Sequence, residues 1–317
     1  MTSIVHPKIL QNLPQLAHAF QSAAPFKHVL MTPFFTEDFL QRVIEAFPKP
    51  DGARMVNEFG AASSKHTVET LKDLGGVFAQ WDMILQSENF IRLIEGISGI
   101  PALVADPDHI GAGTHNNLHG QSLDLHIDFN RHPKTQYHRR LNLIIYLNDP
   151  WDNSWGGALE LHKDAWNRRE RSQFVAYPPL ANHAVMFETT EHSWHGFQAV
   201  NLPEALRHHS RKSLTVYYYT RHLDDHLIAN EHSTVYVPGW IPESVQPGQT
   251  LSGEAYNELV QLMERRDHFL QGLYTKHHEL MQRHRGLERM LEILRPVTSV
   301  LKALGLTKVI KKLFRLA

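Results

Sequence analysis

The sequence predicts a mixed α/β (α+β) chain. Its middle is a double-stranded β-helix, an antiparallel jelly roll of cupin-like architecture, with helical segments before and after it. Three observations predict this. In the first hundred residues apolar side chains recur at helical spacing, beginning with Leu10, Leu13, Leu16 and Phe20. From Pro101 the pattern turns to short β-prone runs separated by Gly, Asn, Asp and Pro clusters. Past about residue 225 the period is helical again. These shifts divide the chain into an N-terminal supporting region (1–100), a β-rich domain (101–225) and a C-terminal helical extension (226–317).

Residues 1–25 read as a helical lead-in, and Pro25 to Met31 as a strand. Thr36 is a suitable N-cap for the next helix. Glu37 and Asp38 favour its first turn, and Pro48 and Pro50 stop it after Phe47. Residues 51–66 are polar and loop-like. The stretch 67–98 reads as two helices broken near Gly75-Gly76. Strands are expected near 102–105, 109–115, 121–127, 141–147, 157–161, 174–177, 183–188, 195–200 and 211–219. With no helical crossover between them, a double-sheet barrel follows. Residues 252–295 predict one or two long, charged, amphipathic helices, interrupted by Pro296. Beyond it, 297–317 carries an apolar stripe, and from Lys302 onward basic but no acidic residues.

A chain of 317 residues, 42% hydrophobic and 21% charged, is long and apolar enough for a buried core. A net charge of −1 gives no general attraction to nucleic acid. With no cysteine, disulfides, thiolate metal sites, iron–sulfur clusters and cysteine nucleophiles are excluded. Met1 to Leu10 lacks a secretory pattern, and no apolar run approaches the ~20 residues of a membrane span. The expectation is a cytoplasmic protein.

Chemistry centres on Gln121 to Asn130, a strand running into a loop. His126 and Asp128 are two residues apart, so a strand points both to one face. A second histidine from a later strand would complete a 2-His-1-carboxylate set, the ligand set of non-haem Fe(II) oxygenases. The run Glu191-His192-Ser193-Trp194-His195 offers His192 and His195. His195 is preferred because it opens the next β-prone stretch. Such an oxygenase also needs a cation for the distal carboxylate of its co-substrate. Arg211 shares a strand face with Ser213, Thr215 and Tyr217, opposite Leu214, Val216 and Tyr218; Arg207 and Lys212 compete for the role. Tyr146 has the parity of Asn142 and Ile144. It suits either a second carboxylate contact or a core tyrosine bonded to backbone.

Several motifs in order carry a family resemblance: His126-Ile127-Asp128, Tyr146-Leu147-Asn148 before Asp149-Pro150-Trp151, Gly156-Gly157-Ala158-Leu159-Glu160-Leu161, His195, and Arg211 opening a Thr-Val-Tyr-Tyr strand. The run from His126 to Tyr219 resembles the Fe(II)/2-oxoglutarate dioxygenases of the prolyl 4-hydroxylase-like group. The resemblance implies His126, Asp128 and His195 as iron ligands, and Arg211 and Tyr146 as anchors of 2-oxoglutarate, with Thr215 nearby. It implies Fe(II), 2-oxoglutarate and O2, with ascorbate a candidate reductant, and hydroxylation of an unactivated C–H bond with release of succinate and CO2. The substrate it suggests is a prolyl or other amino-acid or peptide group. Asn201 to Ser210 departs from the family as an inserted loop, and His115 to Gly120 lacks the aromatic residue often found beside the co-substrate.

Asn130, Arg131, Trp194 and the 201–210 loop are candidate residues of the substrate mouth. For 297–317 the expectation divides between peripheral contact with an anionic membrane and packing on the preceding helices or a second subunit. Two other functions compete: a non-oxidative cupin-like metal enzyme of sugar isomerase type, and a metal-free binding module.

Overall fold

A computed structural model describes residues 3–49, 66–167, 173–237, 241 and 245–303. The chain falls into two compact units, Met1–Pro242 and Glu243–Ala317. The first contains α1 (Pro7–Gln11), α2 (Leu13–Ser22), β1 (His28–Met31), α3 (Glu37–Ala46), β2 (His66–Val68), α4 (Gly76–Leu85) and α5 (Glu88–Ser98). Strands follow as β3 (Leu103–Ala105), β4 (Gly113–Asn117), β5 (Leu123–Ile127), β6 (His138–Tyr146) and β7 (Leu159–His162). The set ends with β8 (Phe174–Tyr177), β9 (Ala184–Glu188), β10 (Trp194–Phe197), β11 (Arg211–Thr220) and β12 (Val235–Tyr236). The second unit contains one long helix, α6 (Gly253–Ala303).

Among the described residues the strands form two sheets. The larger runs β1-β9-β6-β11-β4-β2, with β3 also on β11; the smaller runs β12-β5-β10-β7-β8. Among the described strands every pairing is antiparallel, the jelly-roll arrangement read from the sequence.

The alternation along β11 explains the layering. Leu214, Val216 and Tyr218 join Leu143, Ile145 and Met186 on the face that packs against the N-terminal helices. That layer includes fully buried Phe34, Phe35, Phe39, Trp81 and Phe90, whose rings meet edge-on or tilted at 5.0–6.5 Å. The opposite face of the large sheet turns to the small one. There Tyr146, Val185 and Phe187 pack with Leu159 and Leu161. The helices thus back the large sheet and leave its inner face for the site.

Local signals were mostly accurate. Ser87 caps α5 by accepting from the Phe90 N–H, and Gly99 ends it in the left-handed conformation at φ 69°. Thr36 does occupy the N-cap of α3. Its hydroxyl, however, donates to the Ser3 carbonyl instead of capping the helix.

Four expectations need correction. The region before α4 opens with a strand, β2, which pairs with β4 and so belongs to the sheet. The strand expected at 109–115 lies at Gly113–Asn117, because the Asp106 carboxylate accepts from the N–H groups of Asp108 and Ile110 and folds that stretch into a turn. The β-rich part extends past 225, since β12 pairs with β5. Pro296 lies inside α6, which continues to Ala303, although a proline there forgoes a hydrogen bond and its ring crowds the preceding turn. The basic stretch from residue 304 to the C-terminus lies outside the described residues. No described helix is long and apolar enough to cross a membrane.

Candidate metal centre

β5 and β10 are neighbours in the small sheet, and their register sets His195 directly opposite His126. The two rings lie 4.2 Å apart between centroids. That closeness depends on Gly196, where a Cβ would come within 2.6 Å of the Leu123 carbonyl oxygen. Asp128 follows β5 by one residue, on the same face as His126. One ligand atom from each of His126, Asp128 and His195 falls within 4.8 Å of the others. The His126 and His195 Nε2 atoms are 3.7 and 3.5 Å from the Asp128 carboxylate oxygens.

Both imidazoles are oriented by backbone. His126 Nδ1 lies 2.8 Å from the Asp124 carbonyl oxygen, and His195 Nδ1 lies 2.9 Å from that of Ser193. A carbonyl can only accept, so each Nδ1 donates to the backbone and each Nε2 is the ring nitrogen turned toward the carboxylate. Tyr236 of β12 stacks on His126 at 5.1 Å, and Phe187 tilts against His195 at 4.7 Å. The donor set of two imidazoles and one carboxylate, with one face left toward a cavity, fits a divalent iron.

The carboxylate is held from behind. Arg139 Nη2 meets Asp128 Oδ2 at 3.0 Å, and Asn142 Nδ2 donates to the same oxygen at 2.8 Å. Arg139 also donates through Nε and Nη2 to Asn142 Oδ1, at 3.2 and 2.7 Å, which closes a ring of three side chains. Its guanidinium lies 3.4 Å from the Tyr217 ring centroid. Burial alone would raise the Asp128 pKa; Arg139, the two imidazoles and Asn142 instead hold it far below the usual carboxylate range. Arg139 and Asn142 were not recognised as site residues from the sequence. The parity of Asn142 with Tyr146 was a usable signal. Arg139 has the opposite parity, and a register shift in β6 brings it round: Tyr218 pairs with Leu141, but Tyr219 pairs with Arg139.

A cavity of about 340 Å³ opens from the three ligand atoms and runs between the two sheets. Arg211, Ser213, Thr215 and Tyr217 all line it, as the strand parity predicts. Arg211 is buried at its far end. Its Nε donates to the Gly157 carbonyl at 2.6 Å, its Nη2 donates to the Tyr146 hydroxyl at 3.2 Å, and its guanidinium lies 4.0 Å from the Phe197 ring centroid. Gly157 has φ 71°, and a Cβ there would come within 3.1 Å of Arg211 Cδ, so this approach requires glycine. No acidic side chain pairs with Arg211 among the described residues, and burial lowers its pKa. Burial likewise raises the Tyr146 pKa, so that phenol stays a hydrogen-bonding hydroxyl. Thr215 Oγ1 and His115 Nδ1 are 3.2 Å apart on the cavity wall.

The competitors fall elsewhere. Arg207 is exposed on the 201–210 loop, Lys212 points to the other face of β11, and His192 is exposed outside the triad. Of the expected mouth residues, Asn130 lines a second concavity of about 370 Å³ that shares Asp128 and Arg139 with the first. Its side chain is engaged there by the Asn230 carbonyl, at 2.8 Å, and the His232 N–H, at 3.1 Å. Arg131 and Trp194 line neither concavity, which corrects both expectations. Trp194 alternates with His195 on β10 and so faces away, into a cluster with Leu125, Ile127, Ala165 and Val237. Arg131 makes a bridge with His138 and donates to the Gln136 carbonyl.

A family model described as the 2OG-Fe(II) oxygenase superfamily matches residues 112–219. These residues are a 2OG-Fe(II) oxygenase domain. The matched stretch spans β4 to β11 and contains the triad and Arg211. No curated protein sequence matches the chain. Among solved structures, the oxygenase is similar to a Pseudomonas putida prolyl-4-hydroxylase at 16% identity, with 66% of this chain and 100% of that one covered and a TM-score of 0.44. A Trichoplax adhaerens prolyl hydroxylase, in complex with a hypoxia inducible factor peptide fragment, is similar at 12% identity, with coverage of 68% and 93% and a TM-score of 0.47. A prolyl 4-hydroxylase from Phytophthora capsici is similar at 15% identity, with coverage of 94% and 92% and a TM-score of 0.44.

Proposed function

We propose that this 2-oxoglutarate-dependent oxygenase holds Fe(II) through His126, Asp128 and His195, and binds the distal carboxylate of 2-oxoglutarate with Arg211 and Tyr146. The observation that carries the reading is a cationic side chain, buried without an acid among the described residues, in the same cavity as the triad. A buried unpaired charge is costly. An anionic ligand that ends at Arg211 relieves the cost and accepts its charge-assisted hydrogen bonds. A sugar isomerase barrel does not explain that cation after His195, and a metal-free module does not explain the triad beside it.

Iron with 2-oxoglutarate and O2 supplies the oxidising chemistry, which hydroxylates a C–H bond and releases succinate and CO2. The protein's part is positional. The Nδ1–H bonds to Asp124 and Ser193 fix the plane of each imidazole. Arg139 and Asn142 keep the Asp128 carboxylate ionised and turned toward the triad. Leu123, Ile144, Leu159 and Phe197 line the stretch between the triad and Arg211 and keep it poor in water. The substrate is a small molecule or peptide; the motifs from His126 to Tyr219 favour a prolyl or other amino-acid group. The second concavity, with Asn130 on its wall, suits its approach because it shares Asp128 and Arg139 with the cavity that holds the triad.

The test is anaerobic addition of Fe(II) and 2-oxoglutarate to the folded chain, followed by O2. A weak visible charge-transfer band and uncoupled succinate formation are expected. A folded protein that gives neither is not this oxygenase.

A further inference from the structure

The oxygenase reading makes no use of α6, whose 51 residues extend about 75 Å at ~1.5 Å per residue. Helices of that length with a sustained apolar period point to a coiled coil. From His277 to Leu294 every residue is exposed. Exposed leucines fall at intervals of seven: Leu273 (54%), Leu280 (65%), Leu287 (57%) and Leu294 (38%). Between them, at alternating steps of four and three, stand Leu270, His277, His284 and Leu291. The first set takes the d positions of a heptad and the second the a positions, an unbroken seam about 36 Å long.

We propose that α6 pairs along this seam with α6 of a second copy of the chain, as a parallel two-stranded coiled coil. The repeat of seven, rather than the straight-helix drift, is what two mutually wrapped helices require. A single helix gains nothing from apolar residues held in solvent at this spacing, whereas a matching helix buries both seams. Charge selects the orientation. In a parallel pair each g position faces the e position five residues on in the other chain, so Arg283 meets the partner's Glu288 and Lys276 meets the partner's Met281. An antiparallel pair would set g against g, where Lys276 and Arg283 are both basic. Glu288 contacts His284 of its own helix at 3.3 Å, on the exposed surface, and this contact exchanges for the pair with Arg283. The histidines at a then face their own counterparts, and polar residues there set the register and oppose higher-order assembly.

Sedimentation equilibrium of the full chain tests the proposal, and a dimer in the micromolar range is expected. The double substitution Leu280→Lys with Leu287→Lys removes two d positions and should raise the dimer dissociation constant more than about 100-fold. Iron-dependent succinate formation in that variant reports that the oxygenase unit is folded. Because the chain contains no cysteine, single thiols report orientation. Under mild oxidation Leu280→Cys at d should give a disulfide-linked dimer, and Gln282→Cys at the outer f position should not. A monomeric wild-type chain overturns the proposal, as does one that stays monomeric and co-sediments with anionic vesicles. A double-lysine variant that remains dimeric, or equal cross-linking at both thiol positions, overturns it as well.

Discussion

The cavity of this oxygenase ends in two buried arginines whose surroundings are opposite. Arg139 is paired with Asp128 and, despite burial, its pKa is raised by that carboxylate. Arg211 meets a carbonyl, a phenol and an aromatic ring, and burial lowers its pKa. Among the described residues an acid neutralises one cation and none neutralises the other. A buried arginine is therefore not in itself evidence of a ligand site; the missing counter-charge is.

The contrast can be broken most sharply at the carboxylate. Asp128→Ala should abolish iron-dependent succinate formation and cost the metal-free protein about 3–5 kcal/mol, because Arg139 is then buried without a partner. Denaturant unfolding and a turnover assay read the two effects, and retained turnover would remove Asp128 from the iron site. Next comes a paired comparison in the metal-free protein. Arg139→Met strands Asp128 and should cost a similar ~3–5 kcal/mol, while Arg211→Met deletes an unpaired charge and should leave stability unchanged or raised. Equal losses would mean that the two sites do not differ as described.

A smaller effect sharpens the ligand side. Arg211→Ala forfeits charge-assisted bonds of about 1.5–3 kcal/mol, so the 2-oxoglutarate concentration for half-maximal turnover should rise roughly 10- to 100-fold with iron affinity unchanged. Arg207→Ala should change neither; if it reproduces the effect, the anchor is misassigned. Smallest is Tyr146→Phe, which removes one neutral partner worth about 0.5–1.5 kcal/mol and should raise the same requirement two- to tenfold. A Tyr146→Phe effect as large as that of Arg211→Ala would show that the phenol contributes more than a hydrogen bond.

Much of the site was legible because strand parity is a local property. His126 with Asp128, and Arg211 with Ser213, Thr215 and Tyr217, share faces by simple alternation, and the structure keeps those faces. Alternation failed where a strand was irregular. The shift in β6 rotates Arg139 onto the face of Asn142, and no composition or spacing marks it. Reading also failed where a strand was too short to leave a period. β2 and β12 have three and two residues, yet β12 delivers Tyr236 against His126. Trp194 was misplaced for a third reason: adjacency in sequence to His195 means opposite faces on a strand.

By itself the sequence determined the β-rich middle, the order of the chemical residues along it, and the helical period of the C-terminal part, because each is written in local spacing. The tertiary structure decided three things: that His195 lies across from His126, that Asp128 is neutralised by Arg139, and that Arg211 has no acid beside it among the described residues. The first and the last depend on strands distant in sequence meeting at one register, and the second on the shift in β6. Antiparallel pairing sets which charges meet, and a charge buried between two sheets is screened far less than one at the surface.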